Sequence, residues 1–214
     1  MSNKATLVVE LLGYWHPGTG RGDGVGADAV VNADADGLPI LPGRTIKGLL
    51  RQAAELAANA GVTYWSASTI TEAFGTGIGD AGGDRVQSLE ESRFLTEGGR
   101  LRVASARLGK TLADRTAWVS AARSEEGPDL LAAMRTTLAS TALTDGLVSH
   151  GSLRSIEAWL PVTLYAELEW ANAQHAPPWA ALDEASQLFV RSVGSGRNRG
   201  LGRCQVSIAV GGIQ

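Results

Sequence analysis

The sequence has only one cysteine, Cys204, and three histidines among its 214 residues. An internal disulfide is therefore excluded, and residues so few and scattered cannot assemble a cysteine-rich zinc site or a Ser-His-Asp or Cys-His catalytic group. Cys204 itself reads as a strand residue. Aromatics make up 6% of the chain, and no apolar run approaches the ~18 residues that a membrane-crossing helix needs. The N-terminal stretch MSNKATLVVELLGYW carries one lysine and a strand-like run, not the long apolar core and cleavage site of a secretory leader. A cytoplasmic protein with no membrane partner is expected. Net positive charge is lacking too: at −3, the chain cannot coat nucleic acid with its whole surface, so any nucleic-acid site must be local.

What the chain has in excess is glycine, 27 residues gathered in blocks, well above the usual ~7%. In the first block Gly18, Gly20, Gly22, Gly24 and Gly26 alternate with other residues, giving a loop able to lie close against a ligand. Pro39 and Pro42 then stiffen the chain, Gly43 suits a turn, and Thr45 suits the cap of a helix running to Asn59. Arg44, Lys47 and Arg51 fall at i, i+3 and i+7 of that helix, opposite Ile46, Leu49, Leu50, Ala53 and Ala57. With Arg21 they suit a polyanion; the plainer alternative is a solvated face on which Glu55 partners Arg51 at i+4.

The second block places Gly194, Gly196, Gly200 and Gly202 around Arg197, Arg199 and Arg203, with Arg191 just before. Backbone N–H groups beside guanidinium forks suit phosphate oxygens. No Gly-Lys-Ser/Thr ends this loop, and it leads into a strand instead of a helix, so neither phosphate-loop fingerprint for ATP or NAD fits.

Between these blocks, Ala5–Leu12 reads as a strand, and LRVASARL at Leu101–Leu108 as a half-buried strand paired with the segment up to Trp118. Gly127–Thr141 reads as a short amphipathic helix, followed by a polar arm bearing Arg154. Val162–Trp170 reads as a strong strand, Trp179–Val193 as a helix burying Leu182, Ala185, Leu188 and Phe189, and Cys204–Val210 as a terminal strand. No linker or internal repeat divides the chain. The order strand, helix, strand, strand, helix, strand is that of an α+β ferredoxin-like domain, with an antiparallel sheet, two helices and large loop insertions.

Two motifs carry a more specific likeness. GSGRNRGLGR after the last helix, and GLPILPGRTIKGLLR after a loop bearing ADA, resemble the RAMP superfamily of CRISPR-associated proteins. Within it, the chain is most similar to the repeating backbone subunit of type III (Csm or Cmr style) effector complexes. The shared pattern falls on Asp28, Val30, Val31, Gly37, Leu38, Pro39, Leu41, Pro42, Gly43, Lys47, Gly48 and Arg51, one conservative swap from the family form. AFG at Ala73–Gly75, LRVASARL and SLRSIEAWLPVTLYAELEW at Ser152–Trp170 are similar as well, so the likeness touches nearly the whole chain.

The resemblance implies one RRM-like domain over residues 1–214, with insertions at about 13–42, 62–100 and 142–160, the last forming the arm. It implies an antiviral ribonucleoprotein in which the chain binds CRISPR guide RNA, pairs it with complementary target RNA, and assembles with other effector subunits and further related RAMP domains. The RNA contacts expected are His16, Arg21, Arg44, Lys47, Arg51, Arg154, Gly194, Gly196, Arg197, Arg199, Gly200 and Arg203. In the members that cut target RNA, a loop aspartate acts with a divalent metal, and Asp28 occupies that place. A carboxylate there can hold Mg²⁺ or another divalent cation, or help activate a ribose 2′-hydroxyl for attack on the adjacent phosphate, making the chain an endoribonuclease.

Asp23, Asp34 and Asp36 are rivals, but Asp34 and Asp36 in DADG suit a turn. His16, in YWHPG, is given RNA binding and not catalysis. Tyr14 and Trp15 are open to base stacking, whereas Trp65 reads as core. The alternatives are a non-catalytic scaffold of the same complex and a metal-independent endoribonuclease that processes repeat RNA.

Overall fold

The computed structural model describes residues 2–20, 29–62, 64–76, 98–141, 143–144, 147–148, 154–172 and 176–211. Four strands form one antiparallel sheet in the order β2-β7-β1-β8: β1 is Lys4–Leu11, β2 is Leu101–Val103, β7 is Thr163–Trp170 and β8 is Cys204–Val210. Both central pairings are in strict register, Leu7 opposite Ala166 on one side and Ile208 on the other. Taking these strands in chain order, the sheet reads 4-1-3-2. That arrangement, with helix α1 (Gly43–Asn59) between the first two strands and α5 (Trp179–Phe189) between the last two, is the expected ferredoxin-like α+β fold.

Alternation builds the core. Ala5, Leu7, Val9 and Leu11 of β1, Leu164, Ala166, Leu168 and Trp170 of β7, and Cys204, Val206 and Ile208 of β8 are all buried on one face. Against them lie Ile46, Leu50, Ala53, Ala54 and Ala57 of α1 and Leu182 and Ala185 of α5. The alanine rows let the two helices approach each other closely. The outward face carries Glu10, Thr163, Tyr165, Glu167 and Glu169 instead, none of them buried.

Helix α1 begins two residues earlier than the spacing suggests, and Thr45 does not cap it: Pro42 is the N-cap, and the first amide, Gly43 N–H, donates to the Ser105 hydroxyl at 3.2 Å. Gly43 is required there for room, because a Cβ would stand 2.3 Å from the carbonyl oxygen of Val103 at the end of β2. At the other end Gly61, with φ +79°, donates its N–H to Ala58 while Val62 donates to Ala57, the paired bonds of a Schellman stop. Helix α2 (Ala67–Phe74) packs Ile70 and Phe74 beside Trp65, whose indole N–H donates to Ala181 on α5. Trp65 is core, as the sequence suggests.

Three sequence readings are corrected. The segment after LRVASARL does not pair with it but forms helix α3 (Leu112–Ala122), started by a capping box between Thr111 and Asp114. The reciprocal bonds hold the Asp114 carboxyl below its usual range, chiefly through the Thr111 N–H. Helix α4 (Gly127–Ala133) stops before Arg135, because the β-branched Thr136 and Thr137 instead join strand β3 (Arg135–Ser140), which pairs with β6 (Arg154–Trp159). With the short β4 (Leu143–Thr144) and β5 (Leu147–Val148), this hairpin is the arm. Helix α5 ends at Phe189, after which Val190 is extended and Val193 is buried; Leu188 faces outward, 46% exposed.

Changing Gly43 to Ala forces a Cβ into backbone that cannot easily yield, and is expected to cost about 1–3 kcal/mol. Chemical denaturation measures this; a variant as stable as the wild type would contradict the packing of α1 on β2.

Candidate nucleic-acid interface

Three separate segments meet at the edge of the sheet, joined by the extended tripeptide Tyr14-Trp15-His16. On one side it bonds the late loop: Gly202 N–H donates to the Tyr14 carbonyl (2.8 Å), and Ser195 N–H to the His16 carbonyl (2.8 Å). On the other it bonds the arm, with Trp15 and Trp159 exchanging both backbone bonds. Both tryptophans are fully buried, and each satisfies its indole N–H on a carbonyl, Trp15 on Leu160 and Trp159 on Asn32.

The end of the early loop is pinned to the same knot. Ala29 forms a parallel bridge with Ile156 and accepts the Glu157 N–H, and the Glu157 carboxylate accepts the Val31 N–H at 3.1 Å. The other oxygen of Glu157 faces Arg135 at 3.3 Å; that guanidinium lies 4.5 Å from the centre of the Trp159 ring and donates to the Gly37 carbonyl. Neither Glu157 nor Arg135 is marked by a motif. The one signal available is an acid inside the otherwise half-buried strand SIEAW.

The late loop is shaped by its glycines. Gly194 is left-handed, and a Cβ there would lie 2.6 Å from the His16 carbonyl oxygen; Gly202 is tighter still against Val193. Gly196 and Gly200 bracket a single 3₁₀ turn, Arg197–Arg199, whose residues are all exposed. The expected cradle of free backbone N–H groups is narrowed. The amides of Ser195, Arg199, Gly200, Leu201 and Gly202 bond inside the protein, while those of Gly194, Gly196, Arg197 and Asn198 make no bond among the described residues and stand beside the guanidiniums.

Between this loop and the start of α1 lies a cleft of about 330 Å³, lined by Pro17, Gly18, Asn32, Arg44, Thr45, Gly48, Gly194, Ser195 and Arg197 among others. Arg44 and Arg197 are exposed there, and their guanidiniums make no hydrogen bond or ion pair among the described residues. The N-terminus of α1 adds its partial positive charge. One turn on, Lys47 is half-buried without a partner among the described residues, and loss of solvent lowers its pKa. An approaching anion would restore what burial removes.

The other expected contacts divide. Arg199, Arg203 and Arg154 are exposed, but Arg154 sits at the far end of β6, five residues and roughly 16 Å of strand from Trp159. Arg51 is committed: its guanidinium bonds Glu55 at 2.8 Å and the Gly75 carbonyl at 3.1 Å, joining α1 to the end of α2. The plainer i+4 reading holds for it. His16 is buried at 4% exposure, its Nδ1 lying 2.6 Å from the Glu157 carbonyl and its Nε2 facing Gly18 on the cleft wall, so the residue positions the loop. Trp15 is likewise core, whereas Tyr14 remains 44% exposed.

Arg21 and Asp28, the latter the expected catalytic and metal-binding residue, lie outside the described residues, as does Asp23. Asp34 and Asp36 are not free for a metal. Asp34 accepts the N–H groups of Asp36 and Leu38 and pairs with Arg107 at 2.9 Å, while Asp36 pairs with Arg123 at 2.7 Å. No group of three or more metal-binding side chains occurs among the described residues.

A family model described as the RAMP superfamily matches residues 8–111, from β1 through α1 to the end of the β2 segment. Over that segment the chain is similar to the RAMP superfamily. No curated protein sequence matches it. Among solved structures, the chain is similar to one in the cryo-EM structure of the Type III-B Cmr-beta bound to cognate target RNA, at 8% identity and TM-score 0.59, with 96% of each chain covered. It is also similar to one in the apo state of the Type III-B Cmr-beta, at 9% identity and TM-score 0.62, again over 96% of each. At such identities the likeness is one of fold. Within the described residues, no helix is long and apolar enough to cross a membrane.

Replacing Glu157 with Ala strips acceptors from Val31 and Arg135 at once, at an expected cost of about 1–3 kcal/mol. Amide exchange at Val31 should quicken, with partial recovery in Glu157→Gln; unchanged exchange would remove Glu157 from its anchoring role.

Proposed function

We propose that this chain is a guide-RNA-binding backbone subunit of a type III CRISPR effector complex, and that it cleaves complementary target RNA at the Asp28 loop. The observation that carries the RNA reading is the cleft in which Arg44 and Arg197, contributed by distant parts of the chain, face one space without an acidic partner among the described residues. Guanidiniums held this way, beside a helix N-terminus and the desolvated Lys47, suit the phosphates of a single strand and would read no base. The RAMP superfamily match over residues 8–111 and a fold shared with a chain of the Type III-B Cmr-beta bound to cognate target RNA support the same partner and setting.

Cleavage rests on Asp28. Its neighbour Ala29 is fixed to the base of the arm by Ile156 and Glu157, so the end of the loop is held in place. A carboxylate positioned there accepts the proton of a ribose 2′-hydroxyl. The freed oxygen attacks the adjacent phosphorus and the 5′-oxygen leaves. A divalent cation held at Asp28 would assist that attack, as the family resemblance implies; the carboxylates of Asp34 and Asp36 are already taken by arginines. The buried, bonded ring of His16 disfavours that residue as the base of a repeat-processing enzyme.

Changing Arg44 and Lys47 to Ala and Met should weaken guide RNA binding and lower the slope of log Kd against log salt by about 0.7 for each phosphate no longer held. Because Lys47 carries a burial penalty, thermal stability should be unchanged or higher. Wild-type affinity and slope in this variant would remove the cleft. In the assembled complex, Asp28→Asn should abolish cutting of complementary RNA while guide binding persists. Retained cutting would clear Asp28 of catalysis, and a wild-type complex that never cuts would make the subunit a scaffold.

A further inference from the structure

The late loop has a second cleft on its other side, about 490 Å³, between Leu12 at the end of β1, the extended segment at Arg191 and the stretch Gly200–Gln205. Arg197 lines both clefts. We propose that this second cleft is a further RNA subsite, which takes the next nucleotide of the strand bound in the first cleft; the proposal rests on the RNA reading above.

Arg191, Arg197 and Arg203 converge on this space, all exposed, and their guanidiniums make no hydrogen bond or ion pair among the described residues. Their backbone is fixed on both sides. Ser192 bridges Arg203, Cys204 N–H donates to the Arg191 carbonyl at 3.0 Å, and Leu12 N–H donates to the Arg203 carbonyl at 2.8 Å. Forked guanidiniums carried on so fixed a backbone match phosphate oxygens in pairs. Leu12, 43% exposed, and Leu201 add apolar surface against which a base can lie, as it also can on a guanidinium plane.

The volume falls within the about 300–1,000 Å³ of small-ligand sites. Burial pushes the Cys204 thiol up to about 11, so this wall stays neutral and does not repel phosphate. Beyond Arg191 the adjoining hollow carries Glu10, which ends the favourable path. The strand therefore crosses the 3₁₀ turn over Arg197 from one cleft to the other, and does not finish in the first.

The test measures fluorescence anisotropy of the full chain with labelled single-stranded oligouridines of increasing length, at several salt concentrations. The double change Arg191→Ala, Arg203→Ala should make affinity level off at a shorter oligomer and lower the salt slope by roughly 1.4, two phosphates at about 0.7 each. Arg191→Lys with Arg203→Lys should restore most of the slope, which separates an effect of charge from one of misfolding. Arg44→Ala should weaken binding at every length. If Arg44→Ala weakens binding while the double alanine variant keeps wild-type length dependence and slope, the second subsite is wrong and the RNA reading stands. If the wild type binds none of these RNAs, or if no change affects binding, the RNA reading falls and the subsite with it.

Discussion

Three residues, Tyr14-Trp15-His16, hold the rest of the surface in place. Their backbone is a strand one tripeptide long, bonded to the late loop through the carbonyls of Tyr14 and His16 and to the arm through both polar groups of Trp15. Because Trp15 and Trp159 are fully buried with their N–H groups satisfied, this joint cannot open without exposing two indoles and stranding several backbone groups. The late loop, the arm and the end of the early loop, far apart in sequence, thereby become one rigid edge. The first cleft exists because that edge stands beside the start of α1, and the second because the late loop folds back over the end of β1.

Charge is distributed to the same effect. On the outward face of the sheet, Glu10, Glu167 and Glu169 are accompanied by Lys4, which Glu167 holds in a 3.0 Å pair that raises its pKa. Elsewhere Arg51, Arg107, Arg123 and Arg135 are matched with carboxylates. The cations left without partners among the described residues include Arg44 and Lys47 on α1 and Arg191, Arg197, Arg199 and Arg203 around the late loop. A chain of net charge −3 thus gathers six such cations along one edge, while its outward sheet face carries Glu10, Glu167 and Glu169 together with Lys4 and Arg102. In the RNA reading, phosphates are taken by that edge and not by the sheet.

The fold is largely legible in the sequence because its signals are local. Alternation marks the strands β1, β7 and β8, Gly61 marks the stop of α1, and the order of elements implies the topology. The misreadings fall mainly where a distant partner decides. Thr136 and Thr137 follow a helical pattern yet become strand because β6 is there to pair with them. The Thr111–Asp114 capping box is an exception: it is a local helix start, masked by the apolar alternation around it. At the site, the motifs point to the right segments but do not distinguish holding from binding. His16, Trp15 and Arg51 look like ligands in a motif, and their burial and committed bonds make them supports. Glu157, which anchors Val31, has as its one local signal an acid inside the strand SIEAW; only the fold brings the two together.

The most direct measurement is hydrogen–deuterium exchange of the protein with and without single-stranded guide RNA. If the edge seats the strand, RNA should slow exchange together at the start of α1, residues 43–48, and in the late loop, residues 194–202, while the strands of the sheet are unchanged. Protection across β7 and β8 with none at these two segments would contradict it and place the RNA on the face of the sheet.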